Sequence, residues 1–395
     1  MSLINHKNGV SCNCGSTCSR DILNRVLWRR VVSGCNRYPV HLSYLALSNM
    51  CFTFRCSFLA TIVVALLTAC SSAPRSASRL SSVSQSSDIS LPPLRIGIAL
   101  GGGAAKGFAH IGVLKMLEAN GLAPSVVAGT SAGSVVGALY ASGMDSFKIQ
   151  TKAVAMDESN IRDLRFFSGG LVQGQKLQNY VNELVGKRPI EKLNMPFGAI
   201  ATRLEDGQRT MFVRGNVGEA VRASCSIPGV FEPVTIGAYH YVDGGITSPV
   251  PVDAVRQLGA DFVIAVDISS KATGKNPGGL VGTVNQSISI MGQHLGEAEL
   301  KRANIVIHPK VLDIGSTDFD QRNAAILEGE RATIAVIPEI REKLAQLQQQ
   351  RIQAARKTAN QSAIEAVESY RRCQNTRTRW EKLRGKEKDC TKSSL

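Results

Sequence analysis

Three short stretches of this sequence combine residue types that could cleave an ester by acyl transfer. The first is Gly129-Thr130-Ser131-Ala132-Gly133, a G-x-S-x-G pattern. A serine hydroxyl is a weak nucleophile until a base removes its proton. Small residues on both sides permit the sharp turn that would hold its Oγ clear of the chain. The second stretch is Gly101-Gly102-Gly103-Ala104-Ala105-Lys106-Gly107. Such a loop can aim several backbone N–H groups at one negatively charged oxygen. The third, Tyr241-Val242-Asp243-Gly244-Gly245, sets a carboxylate before two glycines that let the backbone turn closely past it.

A nucleophilic serine needs a base, and the residues offer two. Of six histidines, His6 and His41 lie far from these motifs, and His110 and His240 read as local packing or hydrogen-bonding residues. His294 and His308 fall late enough to complete a Ser, Asp, His order. Asp243 is the other option, and residue chemistry leaves the choice open. Nucleotide binding is the rival reading of the glycine loop. The full G-x-x-x-x-G-K-[ST] pattern is absent, since Phe108 and Ala109 follow Gly107. The dinucleotide fingerprint fits only loosely at Gly101, Gly103 and Lys106 or Gly107, with no acidic residue at the end of the next strand. Asp267, closing VIAVD, reads as structural, and Cys225 as a packed small residue. Cys12, Cys14 and Cys18 lack the second Cys/His pair a zinc site needs. No acidic cluster points to calcium, so neither metal nor cofactor is expected.

The elements needed to position these motifs follow from hydrophobic spacing. Leu94–Leu100 is a compact apolar run of strand length, and Gly107–Asn120 has helical spacing. Ser125–Ala128 predicts a strand and Ala132–Ala141 a small-residue helix. Strand, helix, strand, helix in this order argues for an α/β fold around a mostly parallel sheet. The alternation returns with a helix at 253–258 and strands at 262–267 and 305–307. Phe197–Leu204 and Thr210–Val213 flank an EDGQ turn and predict a hairpin. The segment 145–195 reads as mainly helical, and 274–282 as a loop.

Charge sorts the chain into parts. The total of +15 divides as +7 in residues 1–90 (nine basic, two acidic) and +7 in 338–395 (fourteen basic, seven acidic). Residues 91–337 carry only +1 (23 basic, 22 acidic), so the body lacks the basic surface a nucleic-acid enzyme needs. Seven of the ten cysteines precede residue 71 and only Cys225 lies in the body. A hydrophobic fraction of 44% excludes disorder throughout. Phe58–Ala69 is uncharged but, at about 1.5 Å per residue, too short to span a bilayer. It ends in LTAC at 67–70 and resembles a bacterial lipoprotein signal, which implies a diacylated Cys70. Ser71 resembles the outer-membrane sorting pattern. The expected organisation is an N-terminal extension at 1–49, signal peptide at 50–69, and lipidated cysteine with a Ser/Pro-rich tether at 70–93. A hydrolase domain at 94–337 follows, then a basic, Gln-rich, partly helical tail at 338–395. The expected location is the cell envelope, lipid-anchored at the outer membrane and facing the periplasm.

The glycine loop, GTSAG elbow and late DGG, in this order, resemble the patatin-like phospholipase family from about Ile96 to Asp253. Ala223-Ser224 through Pro228, Phe231 and Pro233 resembles a fourth family signature. The resemblance implies a three-layer patatin-like fold with a nucleophile elbow and a Gly-rich oxyanion loop. It also implies a Ser–Asp dyad without histidine, with Ser131 as nucleophile and Asp243 as base. Gly102, Gly103 and Ala104 would form the oxyanion hole, supported by Gly101, Lys106, Gly107, Gly129, Gly133, Gly244 and Gly245. Lys106 stands where the family usually has arginine, and lacks that residue's planar fork. The implied substrates are membrane phospholipids or lysophospholipids. The alternatives are a catalytically silent envelope binding protein and a short-chain carboxylesterase.

Overall fold

The short apolar runs at the centre of the chain's sheet become strands buried on both faces. The computed structural model describes residues 91–155, 174–271, 279–376 and 379–385. The extension 1–49, the signal 50–69, Cys70 and the tether to 90 lie outside the described residues. β1 (Ile96–Leu100) leads through a 3-10 turn (Ala104–Phe108) into α1 (Ala109–Ala119). β2 (Val126–Thr130) passes through Ser131 alone into α2 (Ala132–Ala141). α3 (Ser146–Val154), capped by the Asp145 carboxylate, and α4 (Gln175–Leu184) follow. Then come the hairpin β3 (Phe197–Arg203) and β4 (Arg209–Phe212), and α5 (Val217–Ser224), capped by Asn216. A second hairpin, β5 (Val234–Ile236) and β6 (Tyr239–Asp243), precedes α6 (Val252–Gln257) and β7 (Phe262–Val266). The chain continues through α7 (Gly279–Leu300), β8 (Ile305–Ile307), α8 (Arg322–Asn375) and a last turn, α9 (Arg379–Leu383).

The strands form one eight-stranded sheet. Its centre is parallel, with β3, β2, β1, β7 and β8 side by side. β4 and β6 run antiparallel to β3, and β5 antiparallel to β6. Period-two alternation sends side chains to opposite faces. From β1 and β7, Ile98, Leu100, Phe262, Ile264 and Val266 join the core shared with α1, α2 and α8. Ala99, Val263 and Ala265 join the smaller core against α6. This is the three-layer, mostly parallel α/β architecture expected from the sequence.

Pairing on β3 has a direct consequence for chemistry. Ile200 pairs with Thr130 of β2 and with Met211 of β4, so these two partners occupy opposite edges. Ala201 pairs with Thr210 of β4 and with Asp243 of β6. β2 and β6 therefore share one edge of β3, meeting end to end. The last residue of β2 lies at Ile200 and the last residue of β6 at Ala201.

Two differences from the sequence reading concern the later elements. Residues 279–282, expected in a loop, form the first turn of α7, while 272–278 lie outside the described residues. The boundary expected at 337/338 falls at Pro338, inside α8. Proline removes one helical hydrogen bond, but Ile337 and Ile340 are buried, and Leu344 and Leu347 pack on the core. Tertiary packing carries the helix past the break.

α1 and α8 cross with backbones in near contact. A methyl group on Gly329 would stand 2.0 Å from the Ala109 carbonyl oxygen, and one on Gly112 would stand 1.9 Å from that of Ile326. Gly329→Val should therefore force the helices apart and lower stability by about 3 kcal/mol, read as a fall in thermal midpoint. An unchanged midpoint would show that α8 contributes little to the body.

Candidate active site

The turn after β2 is tight because its flanks carry no side chains. A methyl at Gly129 would meet the Gly133 carbonyl oxygen at 2.2 Å, and one at Gly133 would meet that of Leu100 at 2.1 Å. Ser131, between them, has φ 51° and ψ −123°. A non-glycine residue in that region costs on the order of 1–3 kcal/mol and persists only where the surroundings fix it. Here its N–H donates to Ser224 Oγ at 2.9 Å, and its carbonyl accepts from Ser134 N–H at 2.8 Å and Ser134 Oγ at 2.7 Å.

Asp243 is anchored by the same short segment. Its N–H donates to the Ser226 carbonyl at 2.8 Å, and its carbonyl accepts from Thr202 Oγ1 at 3.0 Å. Residues 224–226 at the end of α5 thus hold Ser131 at one end and Asp243 at the other. This gives a physical role to the stretch that the sequence marked as a fourth signature. Asp243 Oδ1 accepts from Gly245 N–H at 2.7 Å, while Oδ2 is buried without a partner in hydrogen-bond geometry. Burial raises the carboxyl pKa to about 6, and the Gly245 N–H and the nearby Ser131 hydroxyl oppose that rise. The Ser131 hydroxyl is near enough to oppose the rise, yet Oδ1 bonds Gly245 N–H and Oδ2 has no partner in hydrogen-bond geometry. Such loose contacts are common before substrate binds.

Ser131 and Asp243 line one cavity of about 610 Å³ with Gly102, Gly103 and Ala104. Its other walls are largely apolar, including Leu177, Ile227, Val230, Phe231, Ile246 and Phe319. No histidine among the described residues lines it. His308 lies 3.4 Å from Asp267, His240 bonds Glu205 at 2.7 Å, and His294 is exposed. Buried His110 has its pKa lowered to about 4 by desolvation, so the neutral ring donates from Nε2 to the Gly101 carbonyl at 2.8 Å.

The glycine loop differs from expectation at one residue. Gly102 N–H donates to the Pro249 carbonyl at 3.0 Å and is not free for a ligand. Gly101 N–H is likewise given to Val266. The N–H groups of Gly103 and Ala104 have no partner among the described residues. Ala104 has φ 50°, the second strained residue on this cavity. The loop's available donors are therefore Gly103 and Ala104, while Gly102 moors it. Lys106 is buried beneath the loop and donates to Ser270 Oγ at 2.9 Å. Desolvation lowers its pKa, with the Asp267 carboxylate opposing. Asp267 stands outside the cavity lining. Burial would raise its pKa, but His308, Ser269 and Lys271 outweigh that and hold it well below the usual carboxylate range. Buried Cys225 also lines the cavity, its thiol pKa pushed up by desolvation and by Asp243.

Sequence reasoning missed Glu299. Its carboxylate bonds Ser248 Oγ and, at 2.9 Å, Val250 N–H, bracketing Pro249. The Ser248 carbonyl in turn accepts from Thr130 Oγ1 at 2.8 Å. Glu299 thereby braces both the elbow strand and the glycine loop. Burial raises its pKa to about 7. No spacing pattern in GEAEL marks it, because its partners are distant in sequence.

Parts of this chain are similar to known proteins. Residues 98–256 match the family model "Patatin-like phospholipase". That stretch, less than half of the chain, is similar to patatin-like phospholipases. An uncharacterised NTE family protein of Mycobacterium tuberculosis is 36% identical over 182 residues, covering 46% of this chain and 51% of that protein. A lysophospholipase of Pyricularia oryzae is 33% identical over 181 residues, covering 44% of this chain and 12% of its own length. A patatin-like phospholipase domain-containing protein of Caenorhabditis elegans is 33% identical over 183 residues, covering 44% and 14%. The chain thus spans about half the length of its mycobacterial relative. The crystal structure of VipD from Legionella pneumophila aligns with TM-score 0.44 and 15% identity, covering 63% of this chain and 68% of that one.

The burial of Asp243 has a cost that can be measured. Its pKa rises from 3.8 to about 6, so the proton favours the folded state. That stability is full below about pH 4 and is lost as pH rises through about 6. Asp243→Asn removes the charge and should be more stable than wild type at pH 8 by about 3 kcal/mol. The gap should close by pH 4 in urea titrations. A gap independent of pH would contradict the burial.

Proposed function

We propose that the chain is a serine acyl hydrolase that releases fatty acid from phospholipid or lysophospholipid. The observation that carries this reading is the convergence of Ser131, Asp243 and two unpartnered loop N–H groups on one apolar cavity. Ser131 Oγ attacks the ester carbonyl carbon as Asp243 accepts its proton. The carbonyl oxygen becomes an oxyanion facing Gly103 and Ala104 N–H, whose directions are fixed before reaction. The tetrahedral adduct collapses, and the C–O bond to the alcohol or lysolipid breaks. The leaving oxygen takes the proton from Asp243. Water then attacks the acyl-serine, gives its proton to the same carboxylate, and the fatty acid leaves as Ser131 regains a proton. Every proton passes through Asp243, and no metal or organic cofactor enters the scheme.

Fatty-acid release should be measured with phospholipid vesicles, lysophospholipid and a short-chain ester. Ser131→Ala and Asp243→Asn should each lower turnover at least a thousandfold on every substrate. The rate should rise with pH and level off above about pH 6, because only ionised Asp243 accepts the proton. Activity retained in Asp243→Asn would sink the dyad. Release from the short ester alone would point to a carboxylesterase.

The same proposal places the enzyme at the bacterial envelope, held by acylated Cys70. In cells fed radiolabelled palmitate, the wild-type chain should take up label and Cys70→Ala should not. Equal labelling of both would remove the anchor.

A further inference from the structure

The three motifs around the cavity meet on one short segment, Ser248-Pro249-Val250. The Ser248 carbonyl accepts from Thr130 Oγ1, next to the serine of the elbow, at 2.8 Å. The Pro249 carbonyl accepts from Gly102 N–H, beside the Gly103 amide, at 3.0 Å. Ser248 N–H donates at 2.9 Å to the Gly244 carbonyl, in the turn that follows Asp243. Elbow, glycine loop and carboxylate are thus registered against the same three residues. Proline has no N–H to give, so the remaining donors of the segment are Ser248 Oγ–H and Val250 N–H. Both go to one side chain, Glu299.

Glu299 stands in the last turn of α7 and is 5% exposed. Among the described residues of that helix, Glu299 and Gly296 alone are buried. A methyl on Gly292 or Gly296 would stand 3.8 Å from the Pro249 ring, an ordinary contact distance. The helix therefore holds the segment through the carboxylate and not by close packing. A carboxylate suits this task because it accepts two bonds at once with no proton of its own to place. Arg209 and Arg302 act on it only through their charge, each being paired with Asp253.

We propose that Glu299 is a positioning residue for acyl transfer: through Ser248 and Val250 it sets the Gly103 and Ala104 amides against Ser131, although it touches no reacting atom. Without its two bonds, Pro249 and Gly102 are free to shift together, and the loop amides leave the position where the oxyanion forms. Donors of this kind act mainly on the transition state, and a displacement of about 1 Å can cost about a hundredfold in rate. The inference rests on the hydrolase reading for its effect on turnover, but the bracing is measurable without turnover.

The test compares Glu299→Gln, Glu299→Leu and Ser248→Ala in the full chain. A Gln amide keeps both contacts, its oxygen accepting from Val250 N–H and its nitrogen donating to Ser248 Oγ. Leu keeps neither, and Ser248→Ala keeps one. Glu299→Leu should lower kcat on a short-chain ester about a hundredfold and leave KM within about twofold. Ser248→Ala should lower kcat about tenfold, and Glu299→Gln should recover at least about a third of the wild-type value. Ser146→Ala, which removes a buried bond to the Glu118 carboxylate outside the cavity lining, should lower the thermal midpoint and leave kcat alone. Amide hydrogen exchange gives the second readout. Peptides covering 100–108 should exchange about tenfold faster in Glu299→Leu than in wild type or Glu299→Gln. Unchanged exchange, or a kcat in folded Glu299→Leu within about threefold of wild type, overturns the proposal. An equal loss in Glu299→Gln also overturns it, because the charge and not the two bonds would then matter. If Glu299→Leu does not fold, full activity in Ser248→Ala overturns the proposal, and a loss there with recovery in Glu299→Gln supports it. If wild type cleaves no ester yet the exchange pattern holds, the hydrolase reading fails and the brace stands.

Discussion

The positions of Ser131 and Asp243 depend on a single edge of β3. β2 reaches it from one direction and β6 from the other, and the two strands end on adjacent residues, Ile200 and Ala201. Neither strand needs to contact the other along its length. Both are measured against the same hydrogen-bonding ladder, so a register slip in either would separate serine and carboxylate. The 224–226 segment then fixes the two ends from the helix layer, through Ser224 to Ser131 and through Ser226 to Asp243. Positioning thus comes from main-chain bonds and one short hydroxyl side chain, which have little freedom to relax.

The rest of the structure compensates for what this junction costs. Ser131 and Ala104 sit in strained backbone conformations, and Asp243 is buried with one oxygen unpartnered. A fully buried pair of cores on either face of the sheet supplies the offsetting apolar burial. Glu299 adds a second buried carboxylate whose bonds brace the loop after Asp243. The cavity is consequently a region where local stability has been given up for geometry, as expected of a site shaped for reaction.

Much of this was legible in the sequence, for definite reasons. IGIAL, VVAGT and FVIAV are short, mostly apolar and bounded by glycine, serine or charge, so their strand character is local. The elbow was legible because a strand and a helix separated by a single serine leave few backbone solutions. The pairing of β2 and β6 on one edge was not legible, since it depends on contacts between residues far apart in the chain. Gly102 illustrates the same limit. Its residue type fits an oxyanion donor, but the Pro249 carbonyl that occupies its N–H is visible only once the fold is formed. The start of the helix at 279–300 was hidden because an uncharged run interrupted by glycines lacks both caps and amphipathic contrast. The boundary at 337/338 follows the turn to basic, Gln-rich composition, which does not show that buried Ile337 and Ile340 carry one packed helix across it.

The crossing of α1 and α8 at Gly112 and Gly329 also has a mechanical meaning. Two helices locked backbone to backbone cannot slide or roll past each other without unpacking. α8 continues well beyond its buried portion, with Ile364, Val367 and Tyr370 exposed. A load applied to that protruding part would be borne at the glycine crossing and passed into α1. The first turn of α1 holds His110, whose ring grips the Gly101 carbonyl at the head of the glycine loop. The protruding helix is in that sense a handle, joined by stiff parts to the backbone amides that face the cavity.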